Sequence, residues 1–308
     1  MEIATWNIYW LGDRTGTKVT RTPQHEEMIA NVIRKISPDV LALEEIVDPI
    51  VMERILKLAS GSGRDYIIRS DSGNWFTSDP DPTNEQNGGQ KVFLCINNDT
   101  IELLRGASLR GGPSGHGFRK PYAALIRHRE SDRKFVVVAA HLRSGYPDFL
   151  DKQDAENRQK EAKALARWLG GEAKSENPQF EEPGNDAIVV LGDFNAEHND
   201  PSHAEAKDPN FSLDPLRDAF PDWTWNDPEP DGERWETAIF ASDRFVIDFI
   251  ILSPAMTARV LEPPKIYAWD YDPEWGGPTK FHYGPGGSGD LKGYEVSDHR
   301  MVYTVLDV

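Results

Sequence analysis

Acids, amides and imidazoles stand at the ends of apolar runs in this chain, an arrangement suited to gripping a cation or activating a water. The run Ile188-Val189-Val190-Leu191 ends abruptly in Gly192-Asp193-Phe194-Asn195. Residues two apart on an extended chain share a face, so Asp193 and Asn195 can reach one water or metal; an Asx turn at a strand end is the plainer alternative. Val40-Leu41-Ala42-Leu43 finishes in Glu44-Glu45. Alternation sets Glu45 with Leu41 and Leu43 and Glu44 with Ala42, so one of the two acids is expected at a shared site, unless the pair merely leads into a helix. Ser297-Asp298-His299 pairs a carboxylate with an imidazole just before a last apolar run, residues 301–306. Asp248 lies inside the apolar residues 246–251, where an unpaired charge is costly. It requires a partner: His299, whose tautomer and basicity a carboxylate would set, or a base such as Arg244. His141 and Arg143 follow the apolar residues 135–140, and Asn7 sits near the end of the first such run, where a turn former is the ordinary reading.

These groups need strands to carry them. Val, Ile and aromatic enrichment predicts strands over residues 2–9, 40–45, 91–97, 123–129, 134–141, 187–191, 244–252 and 301–306. Thr22 and Pro23 predict a helix start, with Met28, Ile29, Val32, Ile33 and Ile36 on one face and Pro38 as the stop. Further helices are expected over about 48–59 and 151–169, the second ending before Gly170-Gly171. Polar, Gly- and Pro-rich stretches at 70–89, 171–185, 196–210, 226–236 and 271–293 read as functional rims or lids, and none as a domain linker. One domain over residues 1–308, of α/β or α+β class, is expected.

Composition narrows the chemistry. With 34 Lys and Arg against 51 Asp and Glu the formal charge is −17, which excludes holding nucleic acid or anionic membrane by bulk charge. Nine Lys and Arg nevertheless lie between Arg105 and Arg143 (105, 110, 119, 120, 127, 129, 133, 134, 143), against Glu130 and Asp132 alone. Such a strip suits a phosphate-facing rim, or else the outward faces of strands. The single Cys95 can form neither an intrachain disulfide nor a cysteine cluster, so oxygen and nitrogen must supply any metal ligands, favouring Mg²⁺, Mn²⁺ or Ca²⁺. No apolar stretch approaches the roughly 18 residues of a membrane span and none resembles a signal peptide, so a cytoplasmic location is the default expectation.

Taken in order, Thr5-Trp6-Asn7, Pro38-Asp39-Val40-Leu41-Ala42-Leu43-Glu44-Glu45, Arg119-Lys120-Pro121, His141-Leu142-Arg143-Ser144-Gly145, Gly192-Asp193-Phe194-Asn195, Ile247-Asp248-Phe249-Ile250 and Ser297-Asp298-His299 span nearly the whole chain. Together they resemble the endonuclease/exonuclease/phosphatase superfamily of metal-dependent phosphoesterases. The resemblance implies a four-layer sandwich, two packed, mostly antiparallel β-sheets flanked by helices. It implies that Glu45 is the principal metal ligand, with Asn7 and Asp298 in the metal shell. Asp193 and Asn195 would position the attacking water or the phosphoryl group. His299, oriented by Asp248, would be base or phosphate-binding cation; His141 would donate to a phosphate oxygen or leaving group. Arg119, and Arg143 in place of a frequent Lys, would contact phosphate. Three positions depart from the pattern: Glu44 stands where members usually show Gln, Tyr9 where apurinic-site enzymes carry Asp, and His141 where those enzymes carry Tyr.

The implied reaction is direct in-line attack of water on a phosphodiester, with no covalent intermediate. A deoxyribonuclease-like endo- or exonuclease is the first expectation, since Trp223, Trp225, Trp235, Trp269 and Trp275 could stack bases or could be core. A small-molecule or lipid-headgroup phosphoesterase, of inositol phosphate phosphatase or sphingomyelinase type, is the alternative. A catalytically silent binding module is the alternative of another class.

Overall fold

The structure, a computed structural model, describes residues 1–11, 21–62, 64–70, 91–109, 119–143, 152–171, 187–196, 212–225, 237–240, 243–268, 281–282, 291–292 and 297–308. The first part of the chain forms β1 (Glu2–Leu11), α1 (Pro23–Ile36), β2 (Val40–Ile46), α2 (Pro49–Ala59), β3 (Tyr66–Ser70), β4 (Lys91–Asn97) and β5 (Ile101–Ser108). Then come β6 (Tyr122–His128), β7 (Lys134–His141), α3 (Lys152–Leu169), β8 (Ile188–Asp193), α4 (Asp214–Ala219), β9 (Thr224–Trp225), β10 (Ala238–Phe240) and β11 (Asp243–Phe245). The last elements are β12 (Asp248–Leu252), α5 (Pro254–Thr257), β13 (Val260–Tyr267), β14 (Phe281–His282), β15 (Leu291–Lys292) and β16 (Met301–Leu306).

Two six-stranded sheets carry the fold, ordered β13-β16-β1-β2-β4-β3 and β5-β6-β7-β8-β12-β9. Within them only β1 with β2 and β7 with β8 run parallel. Strand alternation sorts the core into layers. Leu41 and Leu43 of β2 face outward onto Ile29, Val32 and Ile33 of α1 and Met52 and Ile55 of α2. Val40 and Ala42, on the opposite face, meet Val137, Ala139, Val189, Leu191 and Ile250 of the other sheet. That second sheet turns Val136, Val138, Val190 and Ile251 toward Ala162, Leu165 and Ala166 of α3 and Leu216 of α4. Helices, sheet, sheet and helices therefore stack in four layers, as expected from the motif order.

Local signals behave as read. Thr22 accepts from the His25 backbone N–H and Pro23 opens α1, while Ser37 closes it in a left-handed conformation at φ 55°. Asp48 caps α2 by accepting from the Ile50 N–H at 2.9 Å. The expected single strand over 244–252 is instead two, β11 and β12, lying in different sheets. Thr237 breaks the run: its Oγ1 accepts from the backbone N–H groups of Ile247 and Asp248 at 3.0 and 3.1 Å. The expected lids fall almost wholly outside the described residues. No described helix is long and apolar enough to cross a membrane.

Candidate active site

Strand direction gathers the predicted residues at one end of the sandwich. β1 and β2 run toward that end in one sheet and β7 and β8 in the other, with Asn7 opposite Glu44 and His141 opposite Asp193. β12 and β16 begin there, Asp248 lying across from Asp193 and Val302 across from Thr5. Asn7, Asp193, Asn195, Asp248, His141, Asp298 and His299 are all buried.

A hydrogen bond joins the sheets at this end: Asn7 Nδ2 donates to Asp193 Oδ2 at 2.9 Å. The other Asp193 oxygen, Oδ1, accepts from the Asn195 backbone N–H at 2.8 Å, made possible by a left-handed Asn195 at φ 49°. His299 Nδ1 lies 2.8 Å from Asp248 Oδ2, which identifies the partner that the buried Asp248 required. The side chain of Arg244, the alternative partner, lies outside the described residues. Trp6 Nε1 donates to the His299 carbonyl at 2.9 Å and Ser297 Oγ accepts from the His299 N–H at 2.9 Å, so the imidazole stands on a fixed backbone. His141 Nε2 is 3.4 Å from Asp193 Oδ2. Asn195 Nδ2 and Arg119 Nη1 both donate to the Leu142 carbonyl, at 3.0 and 3.1 Å. Gly192 reaches φ 145° where β8 passes close to Ala140, a conformation and a contact that only glycine accommodates.

The doubled acid departs from simple alternation. The β2–β4 ladder is irregular between Leu43 and Ile46, and Glu45 adopts a left-handed φ of 59°. Glu44 continues the inward face of Val40 and Ala42 and is fully buried, its Oε1 accepting from Thr5 Oγ1 at 2.9 Å. Glu45, half-buried, is turned by the irregularity toward the same end, where its charge acts on Arg119 and Asp298. Both acids thus act at the site, and the expectation of only one is corrected: alternation fails where the ladder does.

Charge here is concentrated and short of counter-ions. Burial first, then Asp248, raise Asp193 to about 7 against the pull of His299 and of its Asn7 and Asn195 donors. Burial raises Asp298 to about 7 as well, Glu45 and Asp193 adding to it and His299 opposing. Burial and the Asp248 and Asp193 charges push Glu44 well above the usual range, although Thr5 and His299 resist. Burial alone would lower His299, but Asp248, Asp193 and Asp298 together hold it well above an ordinary histidine, as an imidazolium at neutral pH. His141 goes the other way: burial, Arg119 and His299 keep it neutral. Of the two roles expected for His299, the cation fits this electrostatics better than the base.

A divalent cation fits the donor set. Asn7 Oδ1, Glu44 Oε2, Asp248 Oδ1 and Asp298 Oδ1 are buried oxygens with no hydrogen-bond partner among the described residues, a costly condition that a bound cation relieves. Asp193, Asp248 and His299 also form a compact group, their ligand atoms all within 4.8 Å of one another, that could hold a metal. In that group His299 Nδ1 and Asp248 Oδ2 are already spent on each other.

Two expectations outside this cluster change. Of the basic strip, Arg127, Arg129, Arg133 and Lys134 lie around the β6–β7 turn, at the opposite end from His141, because the hairpin reverses there. Arg127 pairs with Glu102 and Asp132. Arg119, Lys120 and Arg143 stay at the site end, and Arg143 Nε is held by Asp154 Oδ1 at 2.5 Å. Trp223 and Trp225 pack on the second-sheet core, Trp225 against Phe194 and Phe249 at centroid distances of 6.4 and 6.0 Å, which takes up ring faces that base stacking would need. Trp235, Trp269 and Trp275 lie outside the described residues, as do Arg110, Ser144 and Gly145. Residues without an expected role are Thr237 and, on α3, Asp154, Arg158 and Glu161, while Thr5 was named only as part of its motif. The signal of the three helix residues was available as a polar i, i+4, i+7 stripe, which reads as solvated until the packing is known.

Comparison with known proteins agrees with this fold. A sequence model of the Endonuclease/Exonuclease/phosphatase family matches residues 4–299. Among solved structures, D. rerio TDP2 in complex with a single-strand DNA product is similar at a TM-score of 0.63 and 15% identity, over 100% of this chain and 99% of that one. The mannosyl-6-phosphatase of Bacteroides thetaiotaomicron gives 0.60 and 12%, over 100% of both chains. The human Nocturnin catalytic domain with bound sulfate gives 0.57 and 15%, over 99% and 93%. At these identities the likeness is one of fold. Curated protein sequences yield no match.

Proposed function

Because the chain belongs to the endonuclease/exonuclease/phosphatase family of hydrolytic phosphoesterases, we propose that it is a divalent-metal-dependent phosphodiester hydrolase, residues 1–308 acting as one domain whose ends meet where β1 pairs with β16. One observation carries the reading: buried acids from four strand ends converge with unsatisfied oxygens and too little positive charge. Asn7, Glu45 and Asp298 would hold Mg²⁺, or Mn²⁺ or Ca²⁺ in its place, through oxygen ligands. The ion, when bound, neutralises charge building on the phosphoryl oxygens.

The chain's own groups do the rest. Asp193 takes a proton from a water whose oxygen forms the new bond to phosphorus as the ester P–O bond opposite it breaks. Asn195 holds the phosphoryl group beside it. His299, kept cationic by Asp248, donates to a phosphoryl oxygen, a contact that strengthens as charge accumulates. Neutral His141 donates a second hydrogen bond toward the leaving oxygen, which departs as an alcohol with a proton from solvent water while Asp193 returns its own to solvent. Arg119 binds phosphate, and Arg143, its Nε held by Asp154 at the exit of β7, adds positive charge beside it.

The distribution of charge favours a small phosphoester substrate over a polynucleotide: among the described residues of the basic strip, Arg119, Lys120 and Arg143 alone stand at the site end, in a chain of net charge −17. The nuclease expected from sequence is the second reading, supported by the likeness to a TDP2 that holds a single-strand DNA product. A substrate panel decides: bis-p-nitrophenyl phosphate, inositol phosphates, sphingomyelin, supercoiled plasmid and single-stranded RNA, each under Mg²⁺, Mn²⁺ and Ca²⁺ and again with chelator. Hydrolysis of at least one, abolished by chelator, is expected. Plasmid nicking with idle small substrates would restore the nuclease, and silence on every arm would reject hydrolysis.

A further inference from the structure

Three residues of α3, Asp154, Arg158 and Glu161, recur at i, i+4 and i+7 and so share one face of the helix. All three reach the exit of β7. Asp154 holds the Arg143 Nε, and Arg158 donates through Nη1 to the Arg143 carbonyl at 3.4 Å and through Nε to Ser212 Oγ at 3.4 Å. Glu161, only 6% exposed, accepts the Arg143 backbone N–H through Oε2 at 2.7 Å. That N–H and the Leu142 carbonyl belong to one peptide unit, and a peptide unit is planar and rigid. The carbonyl end of the same unit accepts Arg119 Nη1 and Asn195 Nδ2.

We propose that Glu161 is a positioning residue for phosphate: by fixing the Leu142–Arg143 peptide plane from its N–H side, it aims the carbonyl that holds Arg119 and Asn195 in register. The peptide is a lever with the helix on one end and two site side chains on the other. An acid oxygen accepting from the N–H also polarises the unit, strengthening the carbonyl as an acceptor. A buried acid is an expensive anchor, and its second oxygen, Oε1, has no hydrogen-bond partner among the described residues. An apolar side chain of the same size would leave the Arg143 N–H without this acceptor. The inference rests on the phosphate-binding role assigned to Arg119 and Asn195 above.

The test compares wild type, Glu161→Gln, which keeps an oxygen acceptor, and Glu161→Met, which keeps the volume and removes it. Each is assayed on bis-p-nitrophenyl phosphate with Mn²⁺ and titrated with inorganic phosphate by calorimetry. A misplacement near 1 Å costs about 10²-fold, so Glu161→Met should lose between about 10- and 100-fold in kcat/KM and bind phosphate at least about 10-fold more weakly. Glu161→Gln should stay within about 3-fold of wild type on both readouts, and Glu161→Met should add little in an Arg119→Ala background, since the two act through one unit. If Glu161→Met does not fold, Glu161→Asp, one methylene shorter, replaces it with the same expected loss. Wild-type turnover and phosphate affinity in a folded Met or Asp variant would overturn the inference, as would equal damage from Gln and Met, or absence of phosphate binding by wild type. Silence of wild-type protein on every substrate, with phosphate still bound and weakened by Met, would instead reject hydrolysis and leave the lever standing.

Discussion

Gly192→Ala places the tightest demand on the geometry. A Cβ at this position would sit 1.7 Å from the Ala140 carbonyl oxygen and 2.8 Å from its carbon, where ordinary contact begins at 3.4 Å. Both atoms are backbone of β7, so no side chain can swing away. Relief requires β8 to shift by on the order of 1 to 2 Å between strands normally about 4.8 Å apart. The φ of 145° adds strain that an L residue meets at about 1–3 kcal/mol, and overpacking costs about 1–3 kcal/mol more. Against a total stability of about 5–15 kcal/mol this is a large fraction. At roughly 2–4 °C per kcal/mol for a large domain, the melting temperature should fall by about 5 to 20 °C. The next residue is Asp193, whose carbonyl accepts the Leu142 N–H at 2.9 Å, so displaced strands also misplace the proposed base. Surviving folded protein should therefore lose about 10²-fold in turnover. Thermal unfolding by circular dichroism and metal-dependent hydrolysis are the assays. A melting temperature within about 2 °C of wild type, with turnover intact, would refute the close approach of β7 and β8 at this point.

Glu45→Gln should weaken Mn²⁺ binding, read by calorimetry, far more than Glu44→Gln, because Thr5 holds one Glu44 oxygen and burial pushes that carboxyl well above the usual range, while Glu45, half-buried, acts on Asp298 and Arg119; the reverse order would exchange their roles. Asp248→Asn removes the largest of the three charges that raise His299, leaving Asp193 and Asp298, so the imidazole proton resonances should titrate at lower pH than in wild type, with turnover down roughly 10²-fold; an unmoved titration would contradict the pairing. Burial raises Glu161 from 4.5 to about 7 despite the Arg143 N–H and the charges of Arg119, Arg143 and Arg158. Between those values the native state keeps a proton that the unfolded chain releases, so wild type loses stability as pH rises from 4.5 to 7. The loss totals about 3 kcal/mol at 1.4 per unit. Urea unfolding of Glu161→Gln across that range should show the variant gaining steadily on wild type, and parallel curves would contradict the buried proton.

What could be read from sequence follows from how local each signal is. β4, β7 and β16 are mostly apolar runs and fall where composition placed them, and α1 and α2 start at side chains that cap them. β3, β5 and β13 went unread because edge or half-exposed strands tolerate charge: β5 carries Glu102 and Arg105 and ends near Gly106, and β13 contains Pro263 and Pro264. The site was legible because each group ends a strand, and parallel β1–β2 and β7–β8 ends must coincide. Glu44 and Glu45 were misjudged where a left-handed residue breaks alternation, which no composition rule reveals. The basic strip failed for a topological reason, a hairpin dividing contiguous sequence between two ends of the sandwich. Glu161 was invisible because a polar helix stripe acquires meaning only from the peptide packed against it.

The proposed chemistry depends on a cation held at the sandwich end by Asn7, Glu45 and Asp298. Anomalous diffraction from crystals soaked in Mn²⁺ tests it directly. One strong peak is expected within about 2.0–2.6 Å of Asn7 Oδ1 and of a carboxylate oxygen from each of Glu45 and Asp298. A peak between Asp248 and His299 with none beside Glu45, or no peak at this end of the sheets at saturating metal, would contradict it.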